Sequence, residues 1–192
     1  MKNIAIFASG EGSNAQNIMD YFKSSTSIKV MLVVSNKSSA NVLNRAKKAG
    51  VNTLLLEREN FYNTNEVIDH LMSVNIDFIV LAGFLWMVPE NLIKAFPNKI
   101  INIHPALLPK FGGKGMYGMR VHKAVVDAKE AMSGISIHYV NEHYDEGEII
   151  SQHTCMLEGA DTPETLAYKI HQLEQEFFPK AIENVINNKQ SV

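Results

Sequence analysis

Apolar residues along the chain fall into two rhythms. The short continuous run at 4–8, ending in Ser-Gly, reads as a buried parallel strand, and the apolar-rich runs at 28–34, 51–56, 77–82 and 99–104 read as further strands. Between them the spacing is helical. Ile18, Tyr21 and Phe22 share one face, 40–49 reads as a helix closed by Gly50, 67–74 lies in a third helix, and Pro89 fits the first turn of a fourth. After residue 104 the rhythm changes. Residues 105–118 form a loop with two prolines and four glycines, and 119–127 returns to helix. The segments 134–140 and 148–156 alternate like half-exposed strands, joined by the polar loop 141–147. Asp161-Thr162-Pro163-Glu164 opens a long helical stretch that Pro179 is expected to interrupt. Strand and helix alternating in this way predict an α/β fold in one domain over 1–192.

Composition narrows the class. With 192 residues, 46% hydrophobic and 20% charged, the chain can bury a sizeable core. Its net charge of -2 lacks the concentrated Lys and Arg that a phosphate backbone or an anionic membrane surface selects, so neither nucleic acid nor membrane is expected as a partner. Cys155 is the sole cysteine, which rules out an internal disulfide and suits a reducing compartment. The run 4–8 is too short for a signal-peptide core, and no stretch approaches the roughly 18 apolar residues of a membrane span. The expectation is a cytoplasmic enzyme or binding protein; monomer and homodimer are both open.

Open α/β sheets bind ligands at the carboxyl ends of their strands, and the unusual residues gather there. Gly10-Glu11-Gly12-Ser13-Asn14 follows the first strand. Its glycines allow close backbone approach, and the next helix aims free N–H groups at the loop, which together suit a phosphate. No Lys stands in P-loop register, the third glycine of a dinucleotide fingerprint is missing, and Val34-Ser35-Asn36 offers no acid for a ribose. A phosphomonoester therefore fits better than a pyrophosphate. An ordinary glycine turn, with Ser13 or Asn14 as helix cap, fits the same residues.

Asn102 and His104 lie two apart on a strand and so share a face. An amide donor beside an imidazole suits a reaction that builds negative charge on an oxygen. A capped strand end with a structural histidine is the alternative. Asp145 shares its loop with Glu142 and Glu146, and composition does not single it out. His138, beside Ser136 on an alternating strand, reads as a structural histidine. His70, His122, His143, His153 and His171 have no shared ligand spacing, and no metal is expected. Cys155 and Ser9 lack nucleophile signatures.

Four segments together resemble a known family. Ala8-Ser9-Gly10-Glu11-Gly12-Ser13-Asn14, Leu81-Ala82-Gly83-Phe84, Ile101-Asn102-Ile103-His104-Pro105-Ala106-Leu107-Leu108-Pro109 and Gly134-Ile135-Ser136-Ile137-His138-Tyr139-Val140 stand in the order and spacing of the phosphoribosylglycinamide formyltransferases. The similarity covers nearly the whole chain. Asn-x-His-Pro-x-Leu-Leu-Pro marks folate-dependent formyltransferases as a group, and the Gly-x-Gly-Ser-Asn loop points to this family among them. The resemblance implies a Rossmann-like three-layer α/β/α formyltransferase fold, with a mostly parallel seven-stranded sheet and one antiparallel strand near the C-terminal part. It implies transfer of formyl from 10-formyltetrahydrofolate, a co-substrate, to the glycinamide amine of phosphoribosylglycinamide in purine biosynthesis, with no metal.

Residue by residue, the resemblance implies that Asn102, His104 and Asp145 are catalytic. Gly12, Ser13 and Asn14 would hold the phosphate and Glu174 the ribose hydroxyls. Leu85, Trp86, Met87 and Val88, with Asn102, would surround the pterin, closed over by 141–145. In the implied reaction Asn102 donates to the oxygen of a tetrahedral intermediate. His104 enters as an imidazolium, kept charged by Asp145, and protonates the leaving folate nitrogen. A sugar-amine formyltransferase would use the same trio and is the alternative. Two segments depart from the family: 61–65 lacks an arginine for the folate's glutamate tail, leaving Arg58 as the nearest cation, and 111–118 is longer and richer in glycine, with no role assigned.

Overall fold

Each of the five apolar runs forms a strand in the computed structural model, which describes residues 1–187; the domain expected over 1–192 reaches into 188–192, outside the described residues. In chain order the elements are β1 (Lys2–Phe7), α1 (Ser13–Phe22), β2 (Ile28–Ser35), α2 (Asn41–Lys48), β3 (Asn52–Leu55), α3 (Arg58–Asn63) and α4 (Glu66–Ser73). There follow β4 (Phe78–Leu81), α5 (Glu90–Ala95), β5 (Ile100–His104), α6 (Met119–Asp127), β6 (Met132–Tyr139), β7 (Ile149–Met156) and α7 (Pro163–Ile186). The strands make one seven-stranded sheet in the order β3-β2-β1-β4-β5-β6-β7. Neighbours from β3 to β5 are parallel, while β6 runs antiparallel to both β5 and β7 and is the one reversed strand.

Why the first run is unbroken is plain at β1. Ile4, Ile6 and Ala8 belong to the core beneath α1, α2, α6 and α7, whereas Ala5 and Phe7 belong to the core on the opposite face, under α3, α4 and α5. With period two, a strand covered on both faces must be apolar at every position. Strand order reverses between β2 and β4 around β1, which opens a crevice at the carboxyl ends of β1 and β4. Ser9 N–H donates to Gly83 O at 3.0 Å across that crevice.

Two expectations change, and one helix is new. β6 is not half-exposed: positions 133–138 are all buried between β5 and β7. Its polar side chains are tolerated because most are internally bonded. Ser136 Oγ donates to Ala106 O at 2.7 Å and accepts from Leu108 N–H and Gln152 Nε2. The segment 58–63 is helical, as α3, although nothing local announces it. It is too short to stand alone and is held by its buried Phe61.

Nor does Pro179 interrupt α7, which runs through it. Proline removes the N–H that would bond the carbonyl of Gln175. That carbonyl instead accepts from Asn17 Nδ2 of α1 at 2.7 Å. Asn17→Ala should therefore strand a partly buried acceptor and cost about 1 kcal/mol, a fall in Tm of about 2–4 °C for a chain of this size. Thermal unfolding of Asn17→Ala in the wild-type and Pro179→Ala backgrounds checks it. In the second background the helix regains its own bond, so the loss should shrink.

Candidate active site

The carboxyl ends of β1, β4 and β5 open into a cavity of about 790 Å³, walled by residues 113–118, α6 and α7. A narrower cleft of about 80 Å³ lies beside it, between residues 86–88 and the loop after β6. Both are lined by Phe84, Asn102, Tyr144 and Asp145. Two separate approaches thus converge on one amide and one carboxylate.

β5 delivers Asn102 and His104 to that junction, as their shared face requires. Asp145 arrives from the loop after β6, with φ 56°, a left-handed conformation that Asp tolerates better than most residues. Gly147 lets this loop fold back against β6, since a Cβ there would stand 1.7 Å from the Tyr139 carbonyl oxygen. Asp145 Oδ2 lies 3.5 Å from His104 Nδ1, and Oδ1 lies 3.5 Å from Asn102 Nδ2 and 3.7 Å from His138 Nε2. The three expected catalytic residues are therefore together.

The charges differ from expectation. Burial lowers the His104 pKa, and the nearby Asp145 carboxylate, which pulls it upward as anticipated, does not overcome this. The resting imidazole is neutral. Its Nε2 stands 2.8 Å from the Phe111 carbonyl, so the hydrogen belongs on Nε2 and the lone pair on Nδ1, beside Asp145. Asp145 stays ionised: burial opposes its charge, but the Gly113 N–H, donating to Oδ2 at 2.9 Å, favours the carboxylate, and its pKa lies below the usual carboxylate range.

At the other end of the cavity, the α1 N-cap is Gly12 in a left-handed conformation with no side-chain cap bond. Neither Ser13 nor Asn14 caps the helix, and the first-turn N–H groups point to the loop. A Cβ on Gly12 would stand 2.5 Å from Val42. Gly10 and Asn14 line the cavity, while Gly12 and Ser13 lie just outside it. The Asn14 side chain is committed at both ends, donating to Glu174 Oε2 and accepting from Gln175 Nε2, each at 2.9 Å. It serves to fix Glu174, which also lines the cavity and stands 3.6 Å from His171 Nδ1.

Residues 85–88 divide between the spaces. Leu85 lines the large cavity, and Trp86, Met87 and Val88 line the cleft. Their backbone is braced. Leu85 N–H donates to the buried Ser9 Oγ at 2.9 Å, and Met87 O accepts from Tyr62 Oη at 3.0 Å. Trp86 packs on Phe61, Phe84 and Tyr62, and Arg58 covers Tyr62 and Trp86 from outside.

Sequence reasoning missed two participants. His138 Nδ1 donates to Tyr139 O at 2.8 Å, which makes Nε2 an acceptor for Asn102 Nδ2 at 3.1 Å and fixes which way that amide faces. Its register opposite Asn102 was the available signal, but that pairing exists only once β5 and β6 are antiparallel. The loop 111–118, to which no role was given, bonds His104 through Phe111 O and Asp145 through Gly113 N–H. Among the described residues no three His, Cys, Asp or Glu side chains form a metal-holding group, and no helix is long and apolar enough to cross a membrane.

Residues 2–182 match the formyl transferase family. The chain is 39% identical over 187 residues to the chloroplastic phosphoribosylglycinamide formyltransferase of Arabidopsis thaliana, covering 94% of this chain and 64% of the plant protein. It covers 60% of a second plant relative, from Vigna unguiculata, so the chain spans less than two thirds of the length of these relatives. Against the phosphoribosylglycinamide formyltransferase of Bacillus subtilis it is 34% identical, with 98% of each chain covered. The crystal structure of phosphoribosylglycinamide formyltransferase from Anaplasma phagocytophilum matches with TM-score 0.88 and 30% identity, over 98% of this chain and 88% of that one. The corresponding structure from Bacillus halodurans matches with TM-score 0.86 and 34% identity, over 96% and 95%.

Proposed function

The chain belongs to the formyl transferase family, and from that premise we propose that it transfers the formyl group of 10-formyltetrahydrofolate to the glycinamide amine of 5-phosphoribosylglycinamide. The observation that carries this reading is the meeting of two cavities at Asn102 and Asp145. The ribotide takes the large one, with phosphate at the α1 N-terminus and ribose at Glu174. The pterin takes the cleft, which must widen as the ring enters; the loop 141–147 is the wall with least cover. Arg58, stacked on Trp86 at the outer edge, is the cation available to the folate's carboxylate tail. The names of the relatives favour this substrate over an amino sugar. A cytoplasmic setting suits the single, half-buried Cys155, whose thiol pKa burial pushes up.

Chemistry follows from the two protonation states. As the substrate amine attacks the formyl carbon, negative charge grows on the formyl oxygen, and Asn102 Nδ2 donates to it. The amine nitrogen becomes cationic and gives its proton to the Nδ1 lone pair of His104. Asp145, beside that nitrogen, stabilises the imidazolium so formed. His104 then hands the proton to the folate nitrogen as the carbon–nitrogen bond breaks, so that no net proton is gained. The imidazolium is transient and not resident, which is what burial of His104 permits.

The assay is direct: protein, 10-formyltetrahydrofolate and phosphoribosylglycinamide, followed by loss of the formyl donor. Turnover on an amino sugar nucleotide instead would overturn the substrate. The pH profile of kcat/KM tests the protonation states, since it reports the free enzyme. With the His104 pKa lowered, kcat/KM should not fall as pH rises through the ordinary imidazole range; the acid limb belongs to the substrate's own α-amine, which must be neutral to attack. Activity that falls between pH 6 and 7.5 as base is added would mean a resident imidazolium. Stability has the same sign. It is full above the ordinary imidazole value and is lost as pH falls from there, because the unfolded chain takes up protons that buried His104 and His122 refuse.

A further inference from the structure

His122 is the buried ring that the reaction above leaves unused. It lies on α6 with only 6% of its surface exposed, and it lines the large cavity. Nδ1 is sealed from solvent with no hydrogen-bond partner among the described residues, so Nε2 is the ring nitrogen left to face the cavity. A buried N–H without an acceptor is the costlier orphan, and under-satisfied acceptors are the more tolerated. The hydrogen therefore sits on Nε2 and the lone pair on Nδ1. Burial keeps the ring neutral, opposed by the Glu174 carboxylate, and Glu174 and His104 line the same cavity as His122. One neutral N–H donor thus faces the space between the carboxylate assigned to the ribose and the histidine assigned to the amine.

We propose that His122 recognises the linkage between ribose and amine, donating from Nε2 to a neutral oxygen acceptor there. In phosphoribosylglycinamide that acceptor is the amide carbonyl. The inference rests on the proposed reaction and deepens it. An amine attached directly to a sugar ring has no carbonyl at that point, so His122 would select the glycinamide class. The role explains why a polar side chain with no hydrogen-bond partner among the described residues is kept in a buried wall, where each such group otherwise costs stability.

Steady-state kinetics of wild type, His122→Leu and His122→Gln decide the matter, with thermal unfolding of all three. In His122→Leu the KM for the ribotide should rise about tenfold, the scale of one lost hydrogen bond that leaves a buried acceptor unpaired. The KM for the formyl donor should move by less than about twofold, because the donor approaches from the other cleft. Tm should not fall, since leucine removes an unpartnered polar atom. His122→Gln keeps an N–H donor and should recover most of the lost affinity. An unchanged ribotide KM in His122→Leu, or an equal loss in both variants, overturns the proposal. Wild type without turnover on the ribotide sinks the proposed reaction and this inference with it. Wild-type turnover with an insensitive leucine variant sinks the inference alone.

Discussion

Asp145→Asn is expected to lower kcat by about 10²–10⁴, the range over which positioned acid–base groups contribute. One carboxylate reaches Asn102 and His104 at 3.5 Å and His138 at 3.7 Å, and it accepts from Gly113 N–H at 2.9 Å. Asparagine preserves size, tolerates the φ of 56° and can still accept from Gly113, so the fold should stay close to wild type. What it removes is the charge. Without that charge only the Phe111 carbonyl offsets the burial that opposes protonation of His104, and the proton leaving the amine has a poorer place to rest. The measurement is kcat at saturating substrates beside Tm. A loss below about threefold would mean that Asp145 holds the loop and not the proton.

The second large effect belongs to Asn102. Its amide has two hydrogens. His138 Nε2 takes one at 3.1 Å, while the other faces Asp145 at 3.5 Å, a contact loose enough to be exchanged for an oxyanion. Asn102→Ala removes that donor and should slow transfer by about 10²–10³, as for other oxyanion donors. Ribotide affinity should change little, since the phosphate and ribose ends of the cavity lie elsewhere. Single-turnover rates with an equilibrium titration of ribotide separate the two. Near-normal transfer in this variant would remove Asn102 from the mechanism.

Much of this arrangement was legible in the chain. The apolar runs identified β1 to β5, and period two placed Asn102 and His104 on one face. Asp145 was different. Its loop holds other acids, and only resemblance selected it until the fold brought it against His104. His138 and His122 were passed over for a similar reason, because a lone histidine carries no sign of what it will face. His138 acquires meaning from antiparallel register with β5, and His122 from the cavity between α6 and α7.

The sequence by itself determined which segments are strands, at which of their ends the polar residues gather, and that an amide and an imidazole stand side by side. These follow from local periodicity, which needs no long-range contact. Tertiary structure decided the protonation states, the passage of α7 through Pro179, and the use of the glycine-rich loop as a holder for His104 and Asp145. Each depends on burial or on a partner far away in the chain. His104 is neutral because it is enclosed, and the Gln175 carbonyl freed by Pro179 is satisfied because Asn17, from the other end of the protein, is there to donate.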